Sequence, residues 1–176
     1  EVPLMVHRAA RELRTGRPRP VEIEVPPDVL ERVGDVTLPE PEDFSRDEAD
    51  TDELERAAEL LGRAERPLIV SGGGVLSSGA WDELRELAEM LEAPVMMTDN
   101  GRGGLSDRNY RAQPQQAVRE LIPAADAVLA IGTRYYLGPQ AAQMEVPDGQ
   151  AFIHIDVDAD EVGRNRTPDL GIVGDA

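Results

Sequence analysis

An α/β fold, a doubly wound parallel sheet with helices on both faces, is the architecture this sequence predicts. Three observations carry the prediction. Short apolar runs at residues 68–71, 94–98, 127–131 and 152–157 are separated by stretches of helical spacing, the pattern of buried parallel strands covered on both sides. The first run, Leu68-Ile69-Val70-Ser71, enters Gly72-Gly73-Gly74 and then an amphipathic stretch from Trp81 to Leu87, which makes one half of a nucleotide-binding type βαβ unit. Near the end, Gly171-Ile172-Val173-Gly174 offers a fifth strand.

The elements follow in chain order. Leu4, Val6, Ala9, Ala10 and Leu13 fall on helical spacing, with Gly16 placed to end that helix. Val21-Glu22-Ile23-Glu24-Val25 alternates as a half-buried strand stopped by Pro26-Pro27. Residues 1–30 are too few to bury a core and read as the tail of a preceding domain. Residues 31–50, acidic and carrying Pro39 and Pro41, suit an interdomain linker. The main domain, residues 51–176, opens with a helix capped by Asp50 or Thr51 that turns Leu54, Ala57, Ala58 and Leu61 inward. A second helix, residues 78–91, would bury Trp81, Leu84, Leu87, Ala88 and Leu91, and a short third lies around 115–121. The sequence ends just after the fifth strand, which reads as a domain cut short of its last helix.

Composition narrows the function classes. There are 35 acidic residues against 18 basic ones, a net charge of −17, and every basic residue is Arg. That balance repels nucleic acid and anionic membranes, so neither is an expected partner. The absence of Cys excludes disulfides, thiolate metal sites and a Cys nucleophile, and fits the cytoplasm. No run approaches the ~18 apolar residues of a membrane span, and the amino terminus lacks a signal-peptide pattern. His7 and His154 are too few for a His-ligated metal and read as packing or surface residues.

In a doubly wound sheet ligands lie beyond the carboxyl ends of the strands, and several of those ends are suggestive here. Gly72, Gly73 and Gly74 follow one strand, Gly132-Thr133-Arg134 another, and Asp156 and Asp158 a third, with Thr98 opening the loop Asp99-Asn100-Gly101-Arg102-Gly103-Gly104. Glycines let a phosphate reach backbone N–H groups, and the Arg134 fork suits a phosphate. Asp156 could accept from a ribose or adenine. Each has a bland alternative: glycines that bring a helix close to its strand, Arg134 pairing with a nearby carboxylate, and Asp156 or Asp158 capping the turn at 159–162. No Ser-His-acid triad can be assembled, and no carboxylate pair stands out as an acid–base couple.

These words, in this order, resemble the thiamine-diphosphate-dependent enzyme family that includes acetolactate synthase and the 2-oxo acid and oxalyl-CoA decarboxylases. Residues 19–29 look like the closing strand of its amino-terminal pyrimidine-binding domain. Residues 66–74, 93–98, 101–103, 125–134 and 154–158 are similar to its Rossmann-like central domain, the fold of FAD- and NAD-binding units, which implies a sheet of about six strands. The resemblance implies that thiamine diphosphate and Mg²⁺ are held by flanking pyrimidine- and diphosphate-binding domains of the same polypeptide and not by this stretch, which is itself non-catalytic. It implies a homo-oligomer, and FAD or ADP as candidate occupants of the central domain. Gly72, Gly73, Gly74, Thr98, Gly132, Thr133, Arg134, Asp156 and Asp175 are the candidate contacts. Two departures count against FAD: Arg134 is followed by Tyr135-Tyr136-Leu137-Gly138-Pro139, and Gln113-Pro114-Gln115-Gln116 stands where a Gly-Met-His-Gly-like loop is expected. The alternatives are an autonomous NAD-, FAD- or ADP-binding module and a purely structural spacer.

Overall fold

A computed structural model describes residues 1–42, 48–138 and 145–176, and divides the chain into two compact units, Glu1–Asp47 and Glu48–Ala176. In the first unit Pro3 sits in the opening turn of helix α1, Val2–Arg14, and Gly16 takes a left-handed φ of 57° just beyond its end. The strand expected at residues 21–25 is not formed. Alternation makes a segment able to pair, but the described residues of this unit supply no second strand. Val21 and Ile23 are accordingly exposed, and Pro26-Pro27, expected only as a stop, opens a short helix α2, Pro27–Leu30, with Pro27 at its first position. His7 bonds Glu42 at 3.0 Å. Residues 43–47 of the expected linker lie outside the described residues.

In the second unit the Asp50 carboxylate caps helix α3, Thr51–Gly62, accepting from the N–H groups of Asp52 at 2.9 Å and Glu53 at 3.3 Å. Strand β1, Pro67–Ser71, leads into helix α4, Gly73–Ser78. Then come helix α5, Trp81–Met90, strand β2, Val95–Met97, and the two-residue strand β3, Ala112–Gln113. A 3₁₀ turn runs into helix α6, Val118–Ala124, followed by strands β4, Ala127–Ile131, β5, Ala151–Asp156, and β6, Leu170–Val173. The six strands form one all-parallel sheet in the order β3-β2-β1-β4-β5-β6. This is the doubly wound architecture that the sequence predicts, with its reversal of strand order between β1 and β4.

Alternate residues of each strand serve the two faces. Ile69, Val95, Leu129, Ile153 and Ile172 pack with Ala57 and Leu61 of α3 and Leu84 and Ala88 of α5. Leu68, Val70, Met96, Val128 and Phe152 pack on the other face with Val118 and Ile122 of α6 and with Tyr135 and Leu137. Some expected inward positions turn outward: Leu54 is 43% and Trp81 49% exposed, and Ala58 is exposed. The helix expected over 78–91 begins three residues later, as α5, and a separate short helix α4 precedes it, ended by Gly79 with its φ of 75°. Its shift explains Trp81, which begins α5 and lies over Gly79. No helix among the described residues is long and apolar enough to cross a membrane.

Where the strand order reverses, main chain touches main chain. The Gly72 N–H donates to the Ile131 carbonyl at 3.0 Å and the Gly74 N–H to the Gly132 carbonyl at 2.9 Å. A Cβ on Gly74 would stand 2.5 Å from the Gly132 Cα, and one on Gly72 would stand within 2.2 Å of the Gly132 oxygen. At the opposite, amino-terminal edge, the Asp126 carboxylate joins β4 to the entry of β1, accepting from the N–H groups of Glu65 and Arg66, each at 2.9 Å. Burial pushes its pKa up, but the amide hydrogen bonds and the Arg66 charge outweigh this and hold it below the ordinary 3.8.

Two expected outcomes follow from these contacts. Gly74→Ala should destabilise the chain by about 1–3 kcal/mol in urea denaturation, because the methyl meets backbone and its helix-propensity gain of at most ~1 kcal/mol is smaller. Gly62→Ala, with nothing within 4 Å of its Cβ, should be neutral or stabilising, and equal losses in both variants would refute the close-approach account. Asp126→Asn should cost about 1 kcal/mol at pH 7. The folded pKa is depressed, so this carboxylate's contribution is present above its unfolded pKa and disappears as pH falls through the folded one. The gap between variant and parent should therefore narrow below about pH 4, and a gap constant from pH 7 to 3 would contradict the assignment.

Candidate functional site

The carboxyl ends of the strands gather most of the residues singled out in the sequence, but not in the roles first considered. Gly72 and Gly74 have their N–H groups committed to carbonyls of β4 and its loop, so neither amide is available to cradle a phosphate. The loop after β2 is fitted in the same way: a Cβ on Gly101 would stand 2.4 Å from the Ser71 oxygen, and the Thr98 hydroxyl accepts the Gly101 N–H at 3.2 Å. Gly73 faces Asn100 of that loop, at 3.1 Å from a Cβ to its carbonyl oxygen. These glycines mainly serve close packing.

The Asp156 side chain is buried and accepts the Asp158 N–H at 3.0 Å, and Asp158 accepts the Asp160 N–H at 3.2 Å. Both carboxylates therefore hold the turn after β5. The Asp156 carbonyl accepts the Gly174 N–H at 3.1 Å, which places half-buried Asp175 at the adjoining end of β6.

Arg134 is different. Three successive carbonyls of its loop accept from three separate segments: Gly132 from Gly74 of α4, Thr133 from His154 Nε2 of β5 at 2.7 Å, and Arg134 from Asn165 Nδ2 at 2.7 Å. The Gly132 N–H donates to Ile155 at 2.9 Å, and the Thr133 hydroxyl accepts the Tyr135 N–H at 3.1 Å. On either side of this pair the chain turns left-handed, with φ of 59° at Gly132 and 52° at Tyr135. For a bulky Tyr that conformation costs on the order of 1–3 kcal/mol and persists only where surrounding contacts over-determine it. Here the Tyr135 ring supplies some of them, packed at a tilt of 45° against Phe152 with centroids 4.6 Å apart. Burial pushes the Tyr135 hydroxyl pKa up, against the opposing pull of Arg166.

The result is an exposed Arg on a clamped loop. Arg11, Arg32, Arg63, Arg85 and Arg164 each lie within 4.0 Å of a carboxylate, whereas Arg134, like exposed Arg102, Arg108 and Arg119, forms no ion pair among the described residues, and the clamped loop is what sets it apart. The bland reading of Arg134, neutralisation by a local carboxylate, does not hold there. A planar guanidinium can donate two parallel hydrogen bonds to a phosphate or carboxylate.

Three residues that complete this arrangement had no functional signal in the sequence. His154, in β5, is buried, donates from Nε2 to Thr133 and accepts the Gly163 N–H on Nδ1 at 3.1 Å, a pattern that requires the neutral ring. Asn165 and Tyr135 could not be connected with Arg134 without knowing the β4–β5 pairing. A groove of about 510 Å³, lined by Arg66, Leu91, Pro94 and Leu121 among others, opens at the amino-terminal edge instead. Its Arg66 donates from Nε to the Ala124 carbonyl at 2.8 Å, and none of the strand-end residues singled out in the sequence lines it. Among the described residues no group of three or more His, Asp or Glu is placed to hold a metal. Pro139 lies outside the described residues.

Comparison with known proteins now has a geometry to meet. The model of the family described as "Thiamine pyrophosphate enzyme, central domain" matches residues 54–176. Glyoxylate carboligase from Escherichia coli O157:H7 is 33% identical over 184 residues, covering 99% of this chain and 31% of that protein. Acetolactate synthase from Arthrospira platensis is 32% identical over 194 residues, covering 99% of this chain and 33% of its own length. The chain thus spans about a third of the curated relatives it matches. The crystal structure of benzoylformate decarboxylase from Polynucleobacter necessarius superposes with a TM-score of 0.69 at 20% identity, covering 82% of this chain and 28% of that one, a likeness of fold. With the parallel sheet and the matched strand-end words together, the chain belongs to the thiamine pyrophosphate enzyme family, as its central domain.

Proposed function

We propose that this chain is the non-catalytic central portion of a thiamine-diphosphate-dependent enzyme acting on 2-oxo acids or acyloin-type substrates, and that its strand-end loops take the diphosphate of an ADP-type nucleotide through Arg134. The observation that carries the nucleotide reading is the exposed Arg134, without an ion pair among the described residues, on a loop gripped at every carbonyl from Gly132 to Arg134. The carboligase or decarboxylase reading of the parent rests on the relatives, glyoxylate carboligase and acetolactate synthase.

On this reading thiamine diphosphate, which supplies the electron sink for chemistry at a carbonyl, and its Mg²⁺ are held by flanking domains. The described residues of this chain offer no metal cluster of their own, so no step is assigned to them. Arg134 would hold the phosphates, with Gly73, Thr98 and Thr133 bordering the loops and half-buried Asp175 as the ribose or adenine acceptor, while Asp156, buried and bonded to the Asp158 N–H, would support the turn beside it. A flavin fits less well than ADP because Tyr135-Tyr136-Leu137-Gly138-Pro139 follows Arg134 and Gln113-Pro114-Gln115-Gln116 stands where a Gly-Met-His-Gly-like loop is expected; the occupied Gly72 and Gly74 amides are closed to the diphosphate of either.

Those same occupied amides favour a second reading, a structural spacer whose glycines only close the sheet. A thermal-shift titration separates the two. With ADP, FAD, NAD or CoA at about 100 times its Kd, binding to the folded chain adds ~2.7 kcal/mol and raises Tm by several degrees. Arg134→Ala should remove most of that shift and leave the ligand-free Tm unchanged. No shift with any of the four would leave the spacer reading standing.

A further inference from the structure

The peptide plane that follows Arg134 is gripped at both ends. Its carbonyl, that of Arg134, accepts from Asn165 Nδ2 at 2.7 Å, and its N–H, that of Tyr135, donates to the Thr133 hydroxyl at 3.1 Å. This plane sets the exit from Arg134 and the left-handed φ of 52° at Tyr135. The Thr133 grip is local, two residues away, whereas Asn165 reaches across 31 residues from the segment after the β5 turn. A main-chain carbonyl can only accept, so the contact also fixes which end of the Asn165 amide faces the loop.

Asn165 is itself held from both sides. Arg164 pairs with Glu161 at 3.1 Å, while Arg166 donates to Gln150 Oε1 at 2.8 Å and lies over the Phe152 ring at 4.4 Å. Three consecutive side chains are thus committed to other parts of the unit, and the middle one ends on Arg134. Asn165 is exposed and belongs to neither apolar cluster, so core packing does not account for its contact.

We infer that Asn165 is a positioning residue: by clamping the Arg134 carbonyl from the segment after β5, it fixes the direction in which Arg134 presents its guanidinium to an anion. The choice of a phosphate as that anion rests on the nucleotide reading above; the positioning role does not. Asn165→Leu removes the donor at similar size and adds no charge, and Asn165→Gln restores a donor on a longer stem.

The test is first made without ligand, by amide hydrogen exchange and backbone ¹⁵N relaxation on the full chain. Asn165→Leu should speed exchange of the Tyr135 N–H about fivefold, the loss of roughly one neutral hydrogen bond, and lower the order parameters at Arg134 and Tyr135. Amides of β1 and β4 should be unchanged, and Asn165→Gln should recover part of the protection. Unaltered exchange and order at Arg134 and Tyr135 would overturn the inference, as would losses of equal size throughout the sheet, which mark general destabilisation. ADP titration of the same variants then reads the consequence. Asn165→Leu should weaken ADP about fivefold and have no further effect in an Arg134→Ala background. If the parent chain fails to bind ADP, the nucleotide reading falls, and the ligand-free exchange still decides the role of Asn165.

Discussion

The contact between the Gly72–Gly74 turn and Gly132 is the constraint on which the rest of the second unit depends. With no Cβ at these positions, two main chains meet where the strand order reverses, and two hydrogen bonds at 3.0 and 2.9 Å join them. Because β1 and β4 are also paired from Pro67–Ala127 to Ser71–Ile131, this contact extends the ladder beyond the strands and into the first turn of α4. The usual ligand crevice of a doubly wound sheet lies at this place. Here its floor is main chain already hydrogen-bonded to main chain. The Gly72 and Gly74 amides are closed to an anion there, which leaves a larger share to side chains on the rim, and Arg134 stands two residues beyond the constrained Gly132.

The two edges of the sheet divide the work. At the amino-terminal edge Asp126 joins the start of β4 to the turn before β1, and Gln150 donates to the Ile122 and Ala125 carbonyls at 2.7 and 2.8 Å, tying α6 to the entry of β5. Every one of these polar groups finds its partner within the unit, which is the pattern of structural support. At the carboxyl edge His154 and Asn165 spend their bonds on carbonyls of one loop, and the residue between those carbonyls points a charged group outward. Support at one end and presentation at the other is the polarity expected of a parallel sheet, whose strand ends differ chemically.

Much of the fold was legible because burial on both faces leaves uninterrupted apolar runs. Leu68-Ile69-Val70, Ala127 to Ile131 and Phe152 to Asp156 are strands for that reason. β3 was not legible, since Ala112-Gln113 pairs with only Val95 and Met96 and has no run to show. The alternation at Val21–Val25 misled because a pattern specifies which face would be buried, not that a neighbouring strand exists. The break at Gly79 was hidden by helical spacing on both sides of it. For the site, Gly72, Gly74, Gly132 and Arg134 could be named from their place at strand ends, but whether the glycines receive a ligand or a neighbouring main chain depends on distances of a few tenths of an ångström. His154 and Asn165 act on carbonyls 21 and 31 residues away, and only the β4–β5 pairing makes those separations short.

An unpaired Arg in a chain of net charge −17 raises the question of which electrostatic effect governs it. The global field attracts counter-ions and repels anions, but at physiological ionic strength it is screened over about 8 Å. A phosphate in hydrogen-bond contact with a guanidinium lies well inside that length, so the local pair is screened far less than the repulsion from distant carboxylates. The local term is also the one that geometry can strengthen. A freely rotating Arg would lose side-chain entropy on pairing, and near a dense acidic surface it would find a carboxylate before a ligand. The clamps at Gly132, Thr133 and Arg134 fix the backbone from which that side chain extends. The hydrogen-bonded loop and the acidic surface are therefore complementary: the surface discourages non-specific anions, and the loop keeps one guanidinium available for an anion that approaches closely enough to be bound.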